Sequence, residues 1–271
     1  MSRGQRYLVL LVFFFIQLSR LSAQLPSGFA SSVLQNGYTA PMGVVFSNNG
    51  NTMWTWEKAG KVYVSKWNGS SYAKQATPVL DISEEVGDWR DFGLLSIALD
   101  PDFETNSLIY LYYVVDRHYL INFGTANYNP ATNDYFKATI GRITRYKLNQ
   151  GTTVTTDYST RKILLGESKT TGPCLLHESH MGGTLIFGRD KTLLLSTGDG
   201  ASYASQDVGS ASETYYQQGL SDGIIRSAEN VGSFRSQMLN SLSGKILRLD
   251  PATGNGVSSN GSARQCKHLL Y

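Results

Sequence analysis

The residues best suited to chemistry sit in one stretch, His177-Glu178-Ser179-His180-Met181-Gly182-Gly183, which runs through Thr184-Leu185-Ile186-Phe187 to Ser196-Thr197-Gly198-Asp199-Gly200. His180 precedes two glycines that open an apolar strand, and Asp199 lies between two glycines just after the next one. A hairpin sets the start of its first strand beside the end of its second, so His180 and Asp199 are predicted at the same end. A carboxylate on one imidazole nitrogen fixes the tautomer and makes the other nitrogen a better base. The flanking glycines let a backbone or ligand approach closely. The same residues also suit a structural histidine and a polar turn. His177 and His180 have the i, i+3 spacing of a zinc pair, but no third ligand is suitably spaced and His118 is remote, so no metal site is assigned. The Gly198-Asp199-Gly200 run lacks the Lys-Ser/Thr of a phosphate loop. Glu84-Glu85 and Asp88-Trp89-Arg90-Asp91 read, on composition, as a solvated loop.

Short strands must position these residues. Gly43–Ser47, Met53–Glu57 and Lys61–Trp67 are separated by Asn48-Asn49-Gly50-Asn51 and Lys58-Ala59-Gly60, which is the pattern of an antiparallel meander. The unit recurs in Gly93–Leu99, Leu108–Val115 and Thr139–Tyr146, and again in Thr184–Phe187, Leu193–Ser196 and Lys245–Leu249. Arg142 and Arg145 read as solvent-facing. No stretch sustains a helical apolar period, so helices are expected to be short or absent. Ser202–Gln237 is polar, rich in Ser, Gln, Gly and Asp, and reads as a long loop with a helical turn at most. Repeated meanders with large insertions favour an all-β propeller over a sandwich, and the strands suffice for about three blades.

The 24 basic and 21 acidic residues leave a net charge of +3, which gives a nucleic-acid partner no electrostatic support. Two cysteines, Cys174 and Cys266, are too few for a disulfide scaffold; in an oxidising compartment they could pair, but nothing in the sequence says they do. Arg3 and Arg6 precede an apolar run from Tyr7 to Ile16, and Leu21-Ser22-Ala23 closes the segment. Residues 1–23 are thus expected to be a cleaved secretory leader, which places the mature chain outside the cell or in a periplasm. The run is shorter than a bilayer span, and no later stretch is long and apolar enough to cross one. Asn68-Gly69-Ser70 and Asn260-Gly261-Ser262 are N-glycosylation sequons in a host that uses them.

Three ordered blocks carry a family resemblance: Gly93-Leu94-Leu95-Ser96-Ile97-Ala98-Leu99-Asp100-Pro101-Asp102-Phe103, His180-Met181-Gly182-Gly183 through Gly198-Asp199-Gly200, and Gly244-Lys245-Ile246-Leu247-Arg248-Leu249-Asp250-Pro251. Over about residues 36–260 the chain resembles the glucose/sorbosone dehydrogenase family of soluble quinoprotein sugar dehydrogenases. The resemblance implies a six-bladed β-propeller holding pyrroloquinoline quinone (PQQ), commonly with calcium. It also implies oxidation of a sugar hydroxyl or hemiacetal by hydride transfer to the quinone, with electrons passed to an acceptor. On that reading His180 resembles the general base, Asp199 the acid that orients it, and Asp91 a substrate-contacting position. The family's Arg-Asn-Pro block, its basic contacts to the quinone and most of its calcium ligands have no counterpart here. Residues 262–271 depart from the family pattern. The expectation is therefore the N-terminal three to four blades (residues 24–261) of a sugar dehydrogenase. Two alternatives stay open: a non-catalytic secreted propeller that binds a glycan or protein, and a lactonase-like propeller, for which no ring of Asp, Asn and Glu ligands is seen.

Overall fold

The structure is a computed structural model that describes residues 25–257. The leader segment, the tail from residue 262, Cys266 and the Asn260 sequon lie outside the described residues. Residues 37–257 form one compact unit, built of three antiparallel sheets.

The first sheet runs in the order β1 (Pro41–Phe46), β2 (Thr52–Glu57), β3 (Lys61–Trp67), β4 (Tyr72–Lys74), with β5 (Leu80–Asp81) also on β3. The second contains β6 (Leu94–Leu99), β7 (Leu108–Val114) and β8 (Thr139–Asn149). Both β9 (Thr155–Leu165) and β10 (Cys174–Leu175) pair with β8. The third contains β11 (Gly182–Phe187), β12 (Leu193–Thr197) and β13 (Ile246–Leu249). These are three blades of a β-propeller, and their first strands β1, β6 and β11 are neighbours. The carboxyl ends of those strands line one cavity of about 500 Å³. Their amino ends, including the approach to His180, therefore lie at the opposite end of the blades.

Packing explains why some strands alternate and others do not. In β7, Ile109, Leu111 and Tyr113 face the first blade and join Trp54, Trp56, Val62 and Val64 in one core. Tyr110 and Tyr112 point the other way, into a second core with Leu185, Leu193, Leu195, Leu247 and Leu249. A middle blade is covered on both faces, so its central strand reads as a continuous apolar run. Each fully buried Leu or Ile here stabilises the fold by about 1.5–3 kcal/mol. A third cluster, Trp89, Phe92, Val114, Leu175 and Met181, packs beside the start of β11.

The helices are short, as expected: among the described residues α1 (Phe103–Asn106), α2 (Arg117–Asn122) and α3 (Tyr216–Ser221) are the α-helical segments. The long polar insertion contains α3 and two 3₁₀ segments, Ser227–Glu229 and Gly232–Gln237. No helix among the described residues is long and apolar enough to cross a membrane.

Two readings of charged residues are corrected. Glu85 is not in a solvated loop; it is 4% exposed. Its Oε1 accepts from Tyr113 Oη at 2.5 Å, Arg142 Nη1 at 2.5 Å and Arg161 Nη2 at 2.7 Å. Arg142 does not face solvent either, being 4% exposed, and its Nε donates to the Gly166 carbonyl. Arg145 is half-buried and reaches the Pro251 carbonyl. The physical reason is the same in each case: the second blade is covered on both faces, so a charge there is tolerated only with a partner.

Candidate functional site

His180 and Asp199 meet as the hairpin requires. Gly182 pairs with Thr197 across β11 and β12, with a bulge between Gly182 and Leu185. Beyond that pair the chains stay in register through Gly198 N to Met181 O at 3.1 Å and Gly200 N to His180 O at 2.9 Å. The approach is so close that a Cβ on Gly198 would sit 1.9 Å from the His180 carbonyl oxygen, and one on Gly182 would sit 2.4 Å from Gly198 N. His180 itself takes a left-handed backbone conformation, φ 59°, which turns its side chain out of the strand direction.

The His180 Nδ1 lies 3.2 Å from Asp199 Oδ1. An ionised carboxylate can only accept, so the proton is assigned to Nδ1 and the lone pair to Nε2. Among the described residues Nε2 has no partner. The imidazole side chain is 46% exposed and the carboxylate 27%. Asp199 Oδ1 also accepts from Ala201 N at 3.0 Å, which locks its rotamer. The arrangement is a half-exposed imidazole with an oriented, unoccupied base nitrogen, suited to taking a proton from a bound hydroxyl.

The backbone beneath Asp199 is held by a residue the sequence reading did not single out. Arg235, 1% exposed, donates through Nη2 to the Asp199 carbonyl at 3.1 Å and the Gly200 carbonyl at 3.2 Å. Its Nη1 donates to the Glu229 carbonyl at 3.3 Å. The polar insertion is thereby fastened to the candidate site. Asp207, buried in the same insertion, accepts from Ser202 N and Gly209 N. No local sequence signal marks Arg235, because its partners are all backbone carbonyls, two of them 36 and 35 residues away.

His177 and His180 do not share a partner. His177 is buried, with Nδ1 2.8 Å from Ser179 Oγ. Tyr215 stacks on its ring and Tyr203 meets it edge-on. The Tyr215 hydroxyl donates to Glu178; burial first and that carboxylate second push its pKa well above the ordinary phenol value. Tyr203 is 67% exposed and stands four residues after Asp199. Asp91 is exposed and, among the described residues, makes no hydrogen bond or ion pair. It is next to Phe92, which packs in the cluster that holds Met181, so it lies at the same end of the blades as His180. Among the described residues no group of three or more His, Cys, Asp or Glu side chains converges as a metal site.

A family model described as Glucose / Sorbosone dehydrogenase matches residues 38–268. The chain belongs to the glucose/sorbosone dehydrogenase family. As a member of that family it is similar to the Hedgehog-interacting protein of Homo sapiens, 27% identical over 179 residues, covering 64% of this chain and 22% of that protein. The Hedgehog-interacting protein of Mus musculus matches at 27% over 174 residues, 62% of this chain and 22% of the relative. Among solved structures it is similar to the PQQ-bound form of aldose sugar dehydrogenase from Streptomyces coelicolor, with a TM-score of 0.50 and 19% identity over 86% of this chain and 51% of that one. A structure titled glucose dehydrogenase matches with a TM-score of 0.51 and 17% identity, over 81% of this chain and 47% of that one. At these identities the structures share the propeller fold. The chain spans 22% of the length of the curated relatives and about half of these solved ones.

PQQ is a tricarboxylate and needs convergent cations to hold it. The cations around the pair have other commitments. Arg235 is on backbone carbonyls, and Lys245 donates to the Ser236 and Ser243 carbonyls. Lys58 donates to the Arg90 carbonyl, and the Arg90 guanidinium lies 5.8 Å from the Phe136 ring centre. Lys58, Arg235 and Lys245 are thus engaged with backbone carbonyls and not offered to the carboxylates of a quinone, and no step below is routed through one.

Proposed function

We propose that this chain supplies the proton-accepting centre of a sugar dehydrogenase-type site. The observation that carries the reading is the His180 Nδ1 to Asp199 Oδ1 contact at 3.2 Å on a half-exposed imidazole whose Nε2 has no partner among the described residues. A sugar hydroxyl placed against Nε2 gives up its proton to the imidazole, and Asp199 balances the charge that forms on the ring. Asp91, at the same end of the blades, is proposed as a polar contact for the substrate. Oxidation also needs a hydride acceptor and an electron acceptor. By family resemblance the hydride acceptor would be PQQ, commonly with calcium beside it as a Lewis acid, and the electrons would pass on to a separate acceptor. The proposed place of action is secreted or periplasmic, on the strength of residues 1–23.

The test is reconstitution of the 271-residue protein with PQQ, calcium, a panel of aldoses and a dye acceptor, alongside H180Q, with saccharide binding followed calorimetrically. Dye reduction or sugar binding that H180Q removes supports the reading. Turnover or binding indifferent to H180Q overturns the role of His180. A second reading, a propeller that binds a protein partner without redox chemistry, is favoured by the 27% identity to the Hedgehog-interacting proteins. The absence of both turnover and saccharide binding in the folded protein would leave that reading in place of the first.

A further inference from the structure

The first blade ends in an exposed hairpin. Strand β3 closes at Trp67, β4 opens at Tyr72, and Asn68–Ser71 between them are all exposed. Asn68 N donates to Ser71 O at 3.0 Å, closing the loop. The Asn68 side-chain oxygen faces inward and accepts from Ser70 N at 3.0 Å, Ser71 N at 2.9 Å and Ser70 Oγ at 3.1 Å. Its amide nitrogen has a single long contact, 3.4 Å to Ser71 Oγ. The carboxamide is thus presented with its nitrogen outward, at the tip of the edge strand of the blade.

Three rings lie in a row beside it. Trp67 and Tyr72 have ring centres 5.1 Å apart, and Tyr72 and Phe46 5.7 Å. Trp67 is 43% exposed and Phe46 39%, and none of the three belongs to a core cluster. Partly exposed rings across one end of a sheet are an association hazard unless something covers them. The sequon Asn68-Gly69-Ser70 sets a glycan acceptor directly against this row. A pyranose has an apolar C–H face that matches a flat aromatic surface, while its hydroxyls stay in water.

We infer that Asn68 carries an N-linked glycan whose first sugar seats on Trp67, Tyr72 and Phe46. The modification is a simple displacement. Asn68 Nδ2 attacks the anomeric carbon of an oligosaccharide held on a lipid pyrophosphate. The carbon–oxygen bond to the pyrophosphate breaks, a nitrogen–carbon bond forms, and the nitrogen loses one proton. Phe46 belongs to the carboxyl ends of the first strands and His180 to their amino ends, so the seated sugar is separate from the candidate site and is not its substrate. The inference rests on the leader reading of residues 1–23, because the modification takes place in the secretory pathway.

The full chain, expressed in mammalian cells with N260Q to isolate the site, gives the tryptic peptide Trp67–Lys74 for mass spectrometry, and the mature amino terminus is read in parallel. Leader removal with a glycan on Asn68 is the expected result. The glycoprotein should also melt about 2–4 °C above N68Q, the shift expected of one aromatic contact in a chain this size. Trimming to the first sugar should keep that gain, and W67A should abolish it. A removed leader with unmodified Trp67–Lys74 overturns the inference and leaves the leader reading intact. A retained leader with an unmodified Asn68 overturns both. An occupied Asn68 with the same melting temperature as N68Q overturns the seating.

Discussion

Replacing Glu85 with Gln tests the account of the second blade most directly. Glu85 is the acidic member of a buried group whose Oε1 meets Tyr113, Arg142 and Arg161, and whose Oε2 meets Arg161 again at 2.8 Å. The Glu85 and Arg142 side chains are each 5% exposed and Arg161 is 29% exposed. Burial works against the Arg161 cation, yet the Glu85 carboxylate more than offsets it and holds the guanidinium pKa above its ordinary value. Glutamine keeps the shape, removes the charge, and brings an amide N–H₂ toward guanidinium donors. Arg142 is then a buried cation with no carboxylate to balance its charge. Removing one member of a buried pair costs about 3–5 kcal/mol. In a chain of this size that lowers the melting temperature by roughly 10 °C. Urea and thermal unfolding followed by tryptophan fluorescence would read it, since Trp54 and Trp89 sit in the surrounding cores. A triple replacement of Glu85, Arg142 and Arg161 by apolar residues of similar volume should recover most of the loss. A loss below about 1 kcal/mol for E85Q, the level of an exposed pair, would refute the claim that these charges depend on one another.

Three further outcomes follow from the site and its surroundings. Gly198→Ala should abolish the His180–Asp199 contact and cost more stability than an ordinary surface change, because its Cβ would meet the His180 carbonyl at 1.9 Å; unchanged melting and an unchanged His180 imidazole ¹⁵N spectrum would contradict this. Cys174 is buried, and burial pushes its thiol pKa up, so a disulfide reagent at neutral pH should label it only on unfolding, with fast labelling of the folded protein as the contrary result. Asp190 accepts from the Thr192 hydroxyl and backbone and from Arg248, which lowers its pKa to about 2. A carboxylate depressed on folding adds stability above its unfolded pKa near 4 that is lost as pH falls toward 2, so D190N should flatten the stability profile in that window, and a wild-type slope in D190N would count against it.

The sequence made the central strands and the His180–Asp199 juxtaposition legible for a common reason. Both depend on local pattern, namely apolar runs bounded by Asn/Gly turns and a hairpin that brings its own ends together. What escaped depends on distant partners. Strand β9 reads Thr-Thr-Asp-Tyr-Ser-Thr-Arg-Lys before its first apolar residue; on the outer side of a blade it is held by backbone pairing with β8, so no apolar alternation marks it. The short strands β4, β5 and β10 leave too few residues for any period. Glu85 and Arg142 have composition typical of surface, and only the tertiary pairing shows them as core. Arg235 is silent in the same way, since it recognises carbonyl oxygens, which every residue has.

The two glycines that bracket the hairpin carry a consequence for how this fold diverges. Gly182 and Gly198 each face backbone atoms at a distance no Cβ tolerates, and Gly182 also sits at φ 73°, so the fold requires glycine there whatever the site does. His180 and Asp199 project side chains that are partly exposed, and packing asks little of them. A chain selected for folding alone would need the glycine frame but not the imidazole or the carboxylate. A substitution at Gly182 or Gly198 should therefore be read out in folding, and one at position 180 or 199 in the proposed chemistry.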